Sequence, residues 1–189
     1  TDRIAHCELT RGRVNFRDQS VNQFHAWIGS RSGLLATIDM SEASDRVSLA
    51  AVQRAFQSAP IFLALLEGSR SSHAELPSGE VISLSKFASM GSALCFPVES
   101  LIFYIAIIAS RIYRVGGFPT ARMVRTYARN VYVYGDDLIV PSDVAASVCA
   151  DLESLGLKVN ARKSFWTGKF RESCGKDYYD GEDVSPTYL

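Results

Sequence analysis

The strongest chemical signal in the sequence is a pair of adjacent carboxylates, Asp136 and Asp137, in the tetrad YGDD at residues 134–137. Short apolar runs on both sides of the tetrad predict a β-hairpin with the two carboxylates at its tip. Adjacent ionised carboxylates repel each other unless a cation neutralises them, and hard oxygen ligands of this kind suit Mg²⁺ or Mn²⁺. The alternative interpretation is an ordinary acidic turn, because Gly-Asp pairs favour turns in any case.

A third carboxylate, Asp39, ends an apolar segment that is predicted to form a buried strand over 34–39. If this strand lies beside the hairpin, three carboxylates meet at one end of a sheet. Two-metal phosphoryl transfer requires such a cluster, because protein side chains then need only position the ions and the reactants. Ser44 and Asp45, which follow, are also good helix caps, so their presence alone is weak support for a site.

Other kinds of catalytic chemistry find little support in the composition. The chain has 3 histidines and 4 cysteines, and they are scattered without zinc-ligand or redox spacing. The formal net charge is zero, which argues against a protein that coats nucleic acid by bulk electrostatic attraction. A chain of 189 residues with 47% hydrophobic content is expected to form one domain with one core.

The elements that must position these carboxylates predict an α+β domain, in which an antiparallel sheet is backed by helices. The apolar run at 101–109 is too short to span a bilayer and indicates a buried helix. The predicted elements are a strand at 34–39, a helix at 47–56 capped by Ser44 or Asp45, a short helix after Pro60, a hairpin around 76–82, a core helix at 94–112, the hairpin at 131–140, a helix at 142–155 and a strand at 157–159.

Four ordered segments now resemble a known family. Residues 36–45 (ATIDMSEASD), 89–103 (SMGSALCFPVESLIF), 133–141 (VYGDDLIVP) and 170–176 (FRESCGK) are similar to polymerase motifs A, B, C and E. The sequences of these motifs resemble those of the replicases of single-stranded RNA bacteriophages, the levivirus group, and the resemblance covers about residues 18–189. The resemblance implies an RNA-directed RNA polymerase of right-hand fingers-palm-thumb architecture, with residues 1–189 as a single palm region and partial fingers at the N-terminus. Full fingers and thumb are expected to be absent, and since the sequence starts at Thr1 we expect a fragment of a longer chain.

The resemblance assigns metal binding and catalysis to the three aspartates. Asp39 of motif A and Asp136 of motif C would be the principal ligands of Mg²⁺, with Mn²⁺ as a substitute, and Asp137 would be the third acidic residue. Lys163 matches the motif D lysine, whose ammonium would protonate the departing pyrophosphate as a general acid. An ordinary surface lysine is the alternative at that position.

The resemblance also assigns residues to substrate binding. Asp45 would discriminate the ribose 2'-hydroxyl of the incoming nucleotide, and Glu99 would help to orient Asp45. Ser89 and Gly91 would form the flexible turn of motif B. Cys95 departs from the family, in which a hydroxyl residue is expected, so a hydrogen bond at that position would be weaker.

Three basic residues complete the expected substrate contacts. Arg171 and Lys176 resemble the motif E region that supports the primer end, and Arg3 resembles the end of a basic fingers motif that holds the triphosphate. The implied partners are an RNA template, ribonucleoside triphosphates, the host elongation factors Tu and Ts and a ribosomal protein. The sequence shows no export leader or membrane anchor, so the expected location is the cytoplasm of an infected bacterial host.

Two other functions share part of this pattern. A reverse transcriptase also has a Tyr-x-Asp-Asp hairpin and a motif A aspartate, but a carboxylate at Asp45 favours ribonucleotides. A non-catalytic RNA-binding module also combines an antiparallel sheet with helices, and Tyr132 and Tyr134 would then stack on bases. Adjacent carboxylates beside such tyrosines would repel phosphate, which favours the polymerase.

Overall fold

The computed structural model describes residues 1–187, so residues 188 and 189 of the expected palm region lie outside the described residues. Helices and strands alternate in the mixed order of an α+β fold, which confirms the predicted class. The helices are α1 (Asp2–His6), α2 (Ser20–Ser32), α3 (Ala43–Arg46), α4 (Leu49–Phe56), α5 (Pro60–Gly68), α6 (Cys95–Arg114), α7 (Ala121–Tyr127) and α8 (Ser142–Ser154). The strands are β1 (Leu35–Asp39), β2 (His73–Glu75), β3 (Val81–Ser83), β4 (Tyr132–Tyr134), β5 (Asp137–Pro141), β6 (Phe170–Ser173), β7 (Lys176–Tyr179) and β8 (Glu182–Asp183).

The central sheet has the strand order β1-β5-β4 and is antiparallel throughout. Its register runs from the Leu35–Pro141 pair to the Asp39–Asp137 pair, so the carboxylates lie at one end of the sheet. The predicted strand at 34–39 and the predicted hairpin around Asp136 are therefore confirmed. The central residues of β1 and β5 are buried on both faces, as is typical of strands that are covered by other elements on each side.

The helix α6 supplies much of the hydrophobic core behind this sheet. It packs against α8, α7 and β4, and Phe103 and Ile107 on it are fully buried. By length and composition this helix alone, among the described residues, could cross a membrane, but it is mostly buried within the protein. The prediction of a core helix is confirmed, and Pro97 lies in its first turn, where the missing N–H is tolerated.

The helix α2 and the three-stranded sheet β6-β7-β8 cover the other side of β1. α2 contacts β1, β6 and β7, so this layer holds the strand that ends in Asp39. Neither the helix nor this sheet was predicted from the sequence. The predicted hairpin near 76–82 is present as β2 and β3, with the turn at Gly79.

Two predictions about local structure are wrong. The helix at 47–56 is not capped by Ser44 or Asp45, because those residues lie in the separate short helix α3, while the Ser48 hydroxyl caps α4 by accepting from the Ala51 N–H at 3.1 Å. The predicted strand at 157–159 makes only an isolated bridge between Val159 and Met40. Its backbone is otherwise used to hold the loop after β1 through the Ser41 N–H and the Lys158 carbonyl.

Candidate functional site

A pocket of about 480 Å³ opens where three separate segments of the chain meet. One segment is the turn around α3, the second is the start of α6 with the loop before it, and the third is the tip of the β4–β5 hairpin. Four of the residues that the sequence predicted for metal or substrate binding line it together: Asp45, Gly91, Glu99 and Asp136. The full lining is Glu42, Ala43, Ser44, Asp45, Met90, Gly91, Ser92, Cys95, Phe96, Glu99 and Asp136.

The turn that presents Asp136 is held by the first turns of α6. The backbone N–H of Gly135 donates to the buried hydroxyl of Ser100 at 3.1 Å. Gly135 has a φ of 59°, and a Cβ added there would clash with the ring of Phe96. Phe96 also packs edge-on against Tyr134, with 5.0 Å between ring centroids. Glycine is therefore required at position 135 by both its backbone conformation and the close approach of an aromatic ring.

The carboxyl of Asp136 keeps some contact with solvent at the pocket, but surrounding protein atoms hinder hydration of its charged form. Its pKa is raised above the ordinary value, first by this desolvation and then by the nearby charge of Asp39. The positive charge of Lys163 acts in the opposite direction. The negative charge of Asp39 therefore disfavours the ionised form of Asp136.

Asp39 is oriented by two residues that sequence reasoning missed. The Asn160 side-chain amide donates to Oδ2 of Asp39 at 2.8 Å, and the Asn160 backbone N–H donates to the Asp39 carbonyl at 2.9 Å. The Asp39 N–H donates to the Ser164 hydroxyl at 3.1 Å. One carboxylate oxygen is thus fixed by an amide, while among residues 1–187 no hydrogen bond is made to Oδ1.

Asp137 is directed away from the pocket, towards β6. Its Oδ1 accepts from the Ser173 hydroxyl at 3.0 Å, and its pKa is raised to about 6, chiefly by burial. Hydrogen bonds from the Cys174 backbone and from Ser173 counteract that rise. The Asn22 amide donates to the Asp137 carbonyl at 2.9 Å, which ties α2 to the same strand.

The donor set suits a hard divalent cation, although the site is not already assembled. Carboxylate oxygens are the ligands that Mg²⁺ and Mn²⁺ prefer, and Asp136 lines the pocket without a cationic hydrogen-bond partner among residues 1–187. Across residues 1–187, no group of three His, Cys, Asp or Glu side chains is gathered closely enough to hold a metal ion. The charge of Asp39 acts on Asp136, whereas Asp137 accepts a hydrogen bond from Ser173.

Glu99 lies on the wall of the pocket beside Asp136. It is only 7% exposed, and its pKa is raised to about 7 by burial first and by the charge of Asp136 second. The Cys95 thiol donates to its Oε2 at 3.7 Å, so Cys95 makes a weak contact where a hydroxyl was expected. Glu99 makes no hydrogen bond to Asp45 in the described part of the chain. Asp45 is instead held by Lys86, a residue that sequence reasoning missed, at 2.6 Å.

The remaining residues of motifs B and D surround this centre. Gly91 has a φ of 96° and lines the pocket, while Ser89 lies just outside the lining and its carbonyl accepts from the Ser92 N–H at 3.1 Å. The Lys163 ammonium lies 3.0 Å from Oε1 of Glu172. The pKa of Lys163 is raised, mainly by its hydrogen bond and ion pair with Glu172 and to a smaller extent by the charges of Asp39 and Asp137.

Three basic residues lie apart from the pocket. Arg171 is fully buried, and its guanidinium donates to the carbonyls of Leu35, Thr167, Gly168 and Phe170. The Arg171 side chain is therefore enclosed by protein, where it holds the backbone at the start of β1 and β6. Lys176 is on the surface and pairs with Asp183 at 2.8 Å. Arg3 lies on α1 and lines a different, mainly apolar pocket.

Nearly the whole chain is similar in sequence to known proteins. A family model described as RNA replicase, beta-chain, matches residues 5–189. The RNA-directed RNA polymerase subunit beta of Qbeta virus (strain MX1) is 39% identical over 176 residues, which cover 93% of this chain and 28% of that protein. The corresponding subunit of Enterobacteria phage SP is 39% identical over 177 residues, covering 94% of this chain and 29% of the relative.

The RNA-directed RNA polymerase beta chain of Escherichia phage MS2 is also 39% identical, over 176 residues that cover 93% of this chain and 30% of that protein. The chain thus spans less than a third of the length of these curated relatives. The resemblance to the replicases of single-stranded RNA bacteriophages is confirmed. The family match covers nearly the whole chain, and the chain therefore belongs to the RNA replicase beta-chain family.

Proposed function

We propose that residues 1–189 form the catalytic palm of an RNA-directed RNA polymerase, which extends RNA with ribonucleotides on an RNA template in replication of a positive-strand RNA phage genome. The observation that carries this proposal is the pocket in which Asp45, Gly91, Glu99 and Asp136 meet, although they come from three distant segments. Family membership gives independent support. A pocket of about 480 Å³ is large enough for a nucleotide-sized ligand.

Asp39 and Asp136 would hold divalent cations, with Mg²⁺ expected and Mn²⁺ as a substitute, and Asp137 would add negative charge beside them. Such ions, when bound, activate the attacking hydroxyl and stabilise the leaving pyrophosphate. The protein's own contribution is to fix the carboxylates. Asn160 orients Asp39 and the Ser100–Gly135 hydrogen bond fixes the turn that carries Asp136.

The nucleotide would lie against the α3 turn and the start of α6. In this position the free oxygen of Asp45 would accept a hydrogen bond from the ribose 2'-hydroxyl. Gly91, with its positive φ, gives the loop before α6 a conformation that a larger residue would strain, and Ser89 begins that loop. Glu99 would form the inner wall of the nucleotide pocket, where burial and the charge of Asp136 raise its pKa.

Lys163 is proposed as the general acid that protonates the departing pyrophosphate. The charges of Asp39 and Asp137 act on its ammonium, which supports a place for Lys163 beside the reacting phosphates. It would have to exchange its contact with Glu172, 3.0 Å away, for the pyrophosphate oxygen. The Lys163 end of this ion pair is 53% exposed, so water can hydrate the ammonium when it leaves Glu172.

The wider setting is also part of the proposal. RNA template and ribonucleoside triphosphates would be the substrates, with elongation factors Tu and Ts and a ribosomal protein as host partners in the bacterial cytoplasm. Lys176 would lie near the primer end and Arg3 would contact the triphosphate, each from outside the pocket that Asp45 and Asp136 line. The reverse transcriptase and RNA-binding alternatives are less well supported, because the relatives named above are RNA-directed RNA polymerases.

The proposed function is tested by the Asp136→Asn variant in a ribonucleotide incorporation assay with the full-length protein. Asparagine keeps the shape of the side chain but removes the charge, so incorporation is expected to fall to background while the protein stays folded. Asp180→Asn, which changes an exposed aspartate paired with Lys169, is the matched control and is expected to keep wild-type activity. Full activity in Asp136→Asn would contradict the metal assignment.

A further inference from the structure

Asp45 is held in place by a cation from a different part of the chain. The Nζ atom of Lys86 lies 2.6 Å from Oδ1 of Asp45, although 41 residues separate them in sequence. The Lys86 side chain is 26% exposed, whereas that of Asp45 is 57% exposed. The lysine therefore approaches from the protein side, and the aspartate is presented to the pocket.

The backbone around Lys86 is held by hydrogen bonds from two other parts of the chain. The segment 85–87 runs antiparallel to the start of α4, with hydrogen bonds from the Leu49 N–H to the Ser85 carbonyl at 2.8 Å and from the Phe87 N–H to the Val47 carbonyl at 2.7 Å. The guanidinium of Arg70 clamps the other side by donating to the carbonyls of Leu84, Lys86 and Phe87 at 2.7 to 3.0 Å. The base of the lysine side chain is thus fixed relative to α4.

The two oxygens of Asp45 have different environments. Oδ1 accepts the charged hydrogen bond from Lys86, and in the described part of the chain nothing donates to Oδ2. An aspartate held by one oxygen has its second oxygen restricted in direction, so that oxygen can accept a hydrogen bond from a ligand with little loss of side-chain entropy. Without the lysine the carboxylate would rotate freely in solvent.

Charge balance at the pocket points to the same residue. Of the four acidic residues in the lining, Glu42 is paired with Arg46 and Lys158, and Asp45 is paired with Lys86. Glu99 and Asp136 have no cationic hydrogen-bond partner in the described part of the chain. Asp45 and Cys95 both line the pocket, and the charges of Asp45 and Lys86 also act on the Cys95 thiol.

We infer that Lys86 is a positioning residue for sugar selection: it fixes Oδ1 of Asp45 so that Oδ2 faces the ribose 2'-hydroxyl of the incoming nucleotide. This inference rests on the proposed polymerase function and assigns to Lys86 the orienting role that the sequence had predicted for Glu99. A 2'-deoxynucleotide has no hydroxyl for Oδ2, so its incorporation depends little on how Asp45 is held. Loss of Lys86 should therefore reduce the use of ribonucleotides selectively.

The test compares kcat/KM for a ribonucleoside triphosphate and its 2'-deoxy counterpart in the full-length protein. Lys86→Met keeps an unbranched side chain of similar length without the charge, and Lys86→Arg keeps the charge and the donors. The ratio of ribonucleotide to deoxyribonucleotide kcat/KM is expected to fall about tenfold in Lys86→Met, the effect of one charged hydrogen bond. It is expected to recover substantially in Lys86→Arg.

A matched control is Lys158→Met, which removes a cation beside the same pocket that pairs with Glu42 and not with Asp45. Its ratio is expected to equal that of the wild type. The Lys158 pair is exposed and contributes about 0–1 kcal/mol to stability, while the Asp45 end of the Lys86 pair is exposed, so both methionine variants should fold, which thermal unfolding will check.

An unchanged ratio in Lys86→Met would overturn the inference alone, provided that the wild type polymerises ribonucleotides. An equal fall for both sugars would also overturn it, because that result indicates a contact between Lys86 and the triphosphate or a general structural role. A folded wild type that incorporates no nucleotide would overturn the proposed function and this inference together.

Discussion

Asp39 and Asp137 lie directly opposite each other across β1 and β5, yet their carboxylates have different partners. Asp39 accepts from Asn160, whereas Asp137 accepts from Ser173 on β6. Like charges at opposed positions of a sheet destabilise it unless they are separated or compensated. Asn160 and Ser173 therefore orient the two carboxylates separately, and mutation of either residue should change the site without replacing an aspartate.

Asn160→Ala removes the amide that orients Asp39. The backbone hydrogen bond from position 160 to the Asp39 carbonyl remains, so the unfolding free energy should fall by only about 1 kcal/mol. Partners that orient ligand residues typically affect metal affinity or activity by about 10–100-fold, and kcat/KM for ribonucleotides should fall by that amount. Arg162→Ala, an exposed neighbour, is the control, and equal activity of the two variants would show that Asn160 does not orient Asp39.

Gly135→Ala should both destabilise the protein and abolish polymerisation. A residue with a Cβ at a φ of 59° costs about 1–2 kcal/mol, and the clash with Phe96 adds about 1–3 kcal/mol. Gly168→Ala is a matched control, because its φ is 62° but nothing lies within 4 Å of the added Cβ. Denaturant unfolding should show a clearly larger loss for Gly135→Ala, and equal losses would contradict the tight packing of Phe96 on the hairpin.

Glu99 should make the metal-free protein less stable at neutral pH than in mild acid. Its pKa is raised from 4.5 to about 7, so the folded state prefers the protonated form. The stabilisation is fully present below pH 4.5 and is lost as the pH rises through about 7. The size of this shift corresponds to about 3 kcal/mol.

The Glu99→Gln variant isolates this effect, because glutamine cannot ionise. Unfolding in the presence of a chelator should show that the wild type loses about 3 kcal/mol relative to the variant between about pH 4 and about pH 8. Glu75→Gln, at an exposed position on β2, should follow the wild-type curve. Parallel curves for wild type and Glu99→Gln would show that Glu99 is well hydrated in the folded protein.

Arg171→Met tests whether this arginine has a structural role. The buried guanidinium holds the carbonyls of Leu35, Thr167, Gly168 and Phe170, and its loss leaves those acceptors unsatisfied. We expect the unfolding free energy to fall by about 3 kcal/mol or more. Lys176→Met on the adjacent strand should cost less than about 1 kcal/mol, since its ion pair is exposed. Weaker RNA binding by Arg171→Met with unchanged stability would instead indicate direct contact with RNA.

The parts of the fold that the sequence could predict are those with a strong local pattern. β1, the hairpin around Asp136, α6 and α8 have apolar residues at strand or helix spacing, and each agrees with its predicted position within a few residues. The sheet β6-β7-β8 was missed because its strands are short and mostly polar, and they are stabilised by packing on α2. These strands form because of tertiary contacts, and such contacts cannot be seen in the local sequence pattern.

Some residues of the candidate site could also be identified from the sequence, and others could not. Asp45, Gly91, Glu99 and Asp136 could be selected because their residue types and motifs are distinctive, and the structure brings them to one pocket. Asn160 and Lys86 could not be selected, since an asparagine after a short apolar run and a lysine in a loop have no local signature. Their importance follows only from the distances to Asp39 and Asp45, which depend on how β1, α3 and the loop before α6 pack.

The most direct test of the central claim is ribonucleotide incorporation on an RNA template by the full-length protein, with and without host translation factors, in Mg²⁺, in Mn²⁺ and in chelator. The claim is that Asp39 and Asp136 hold the divalent cations of an RNA polymerase. It predicts synthesis in either metal, none in chelator, and loss of synthesis in a folded Asp39→Ala variant. Synthesis that persists in chelator or in Asp39→Ala would contradict it.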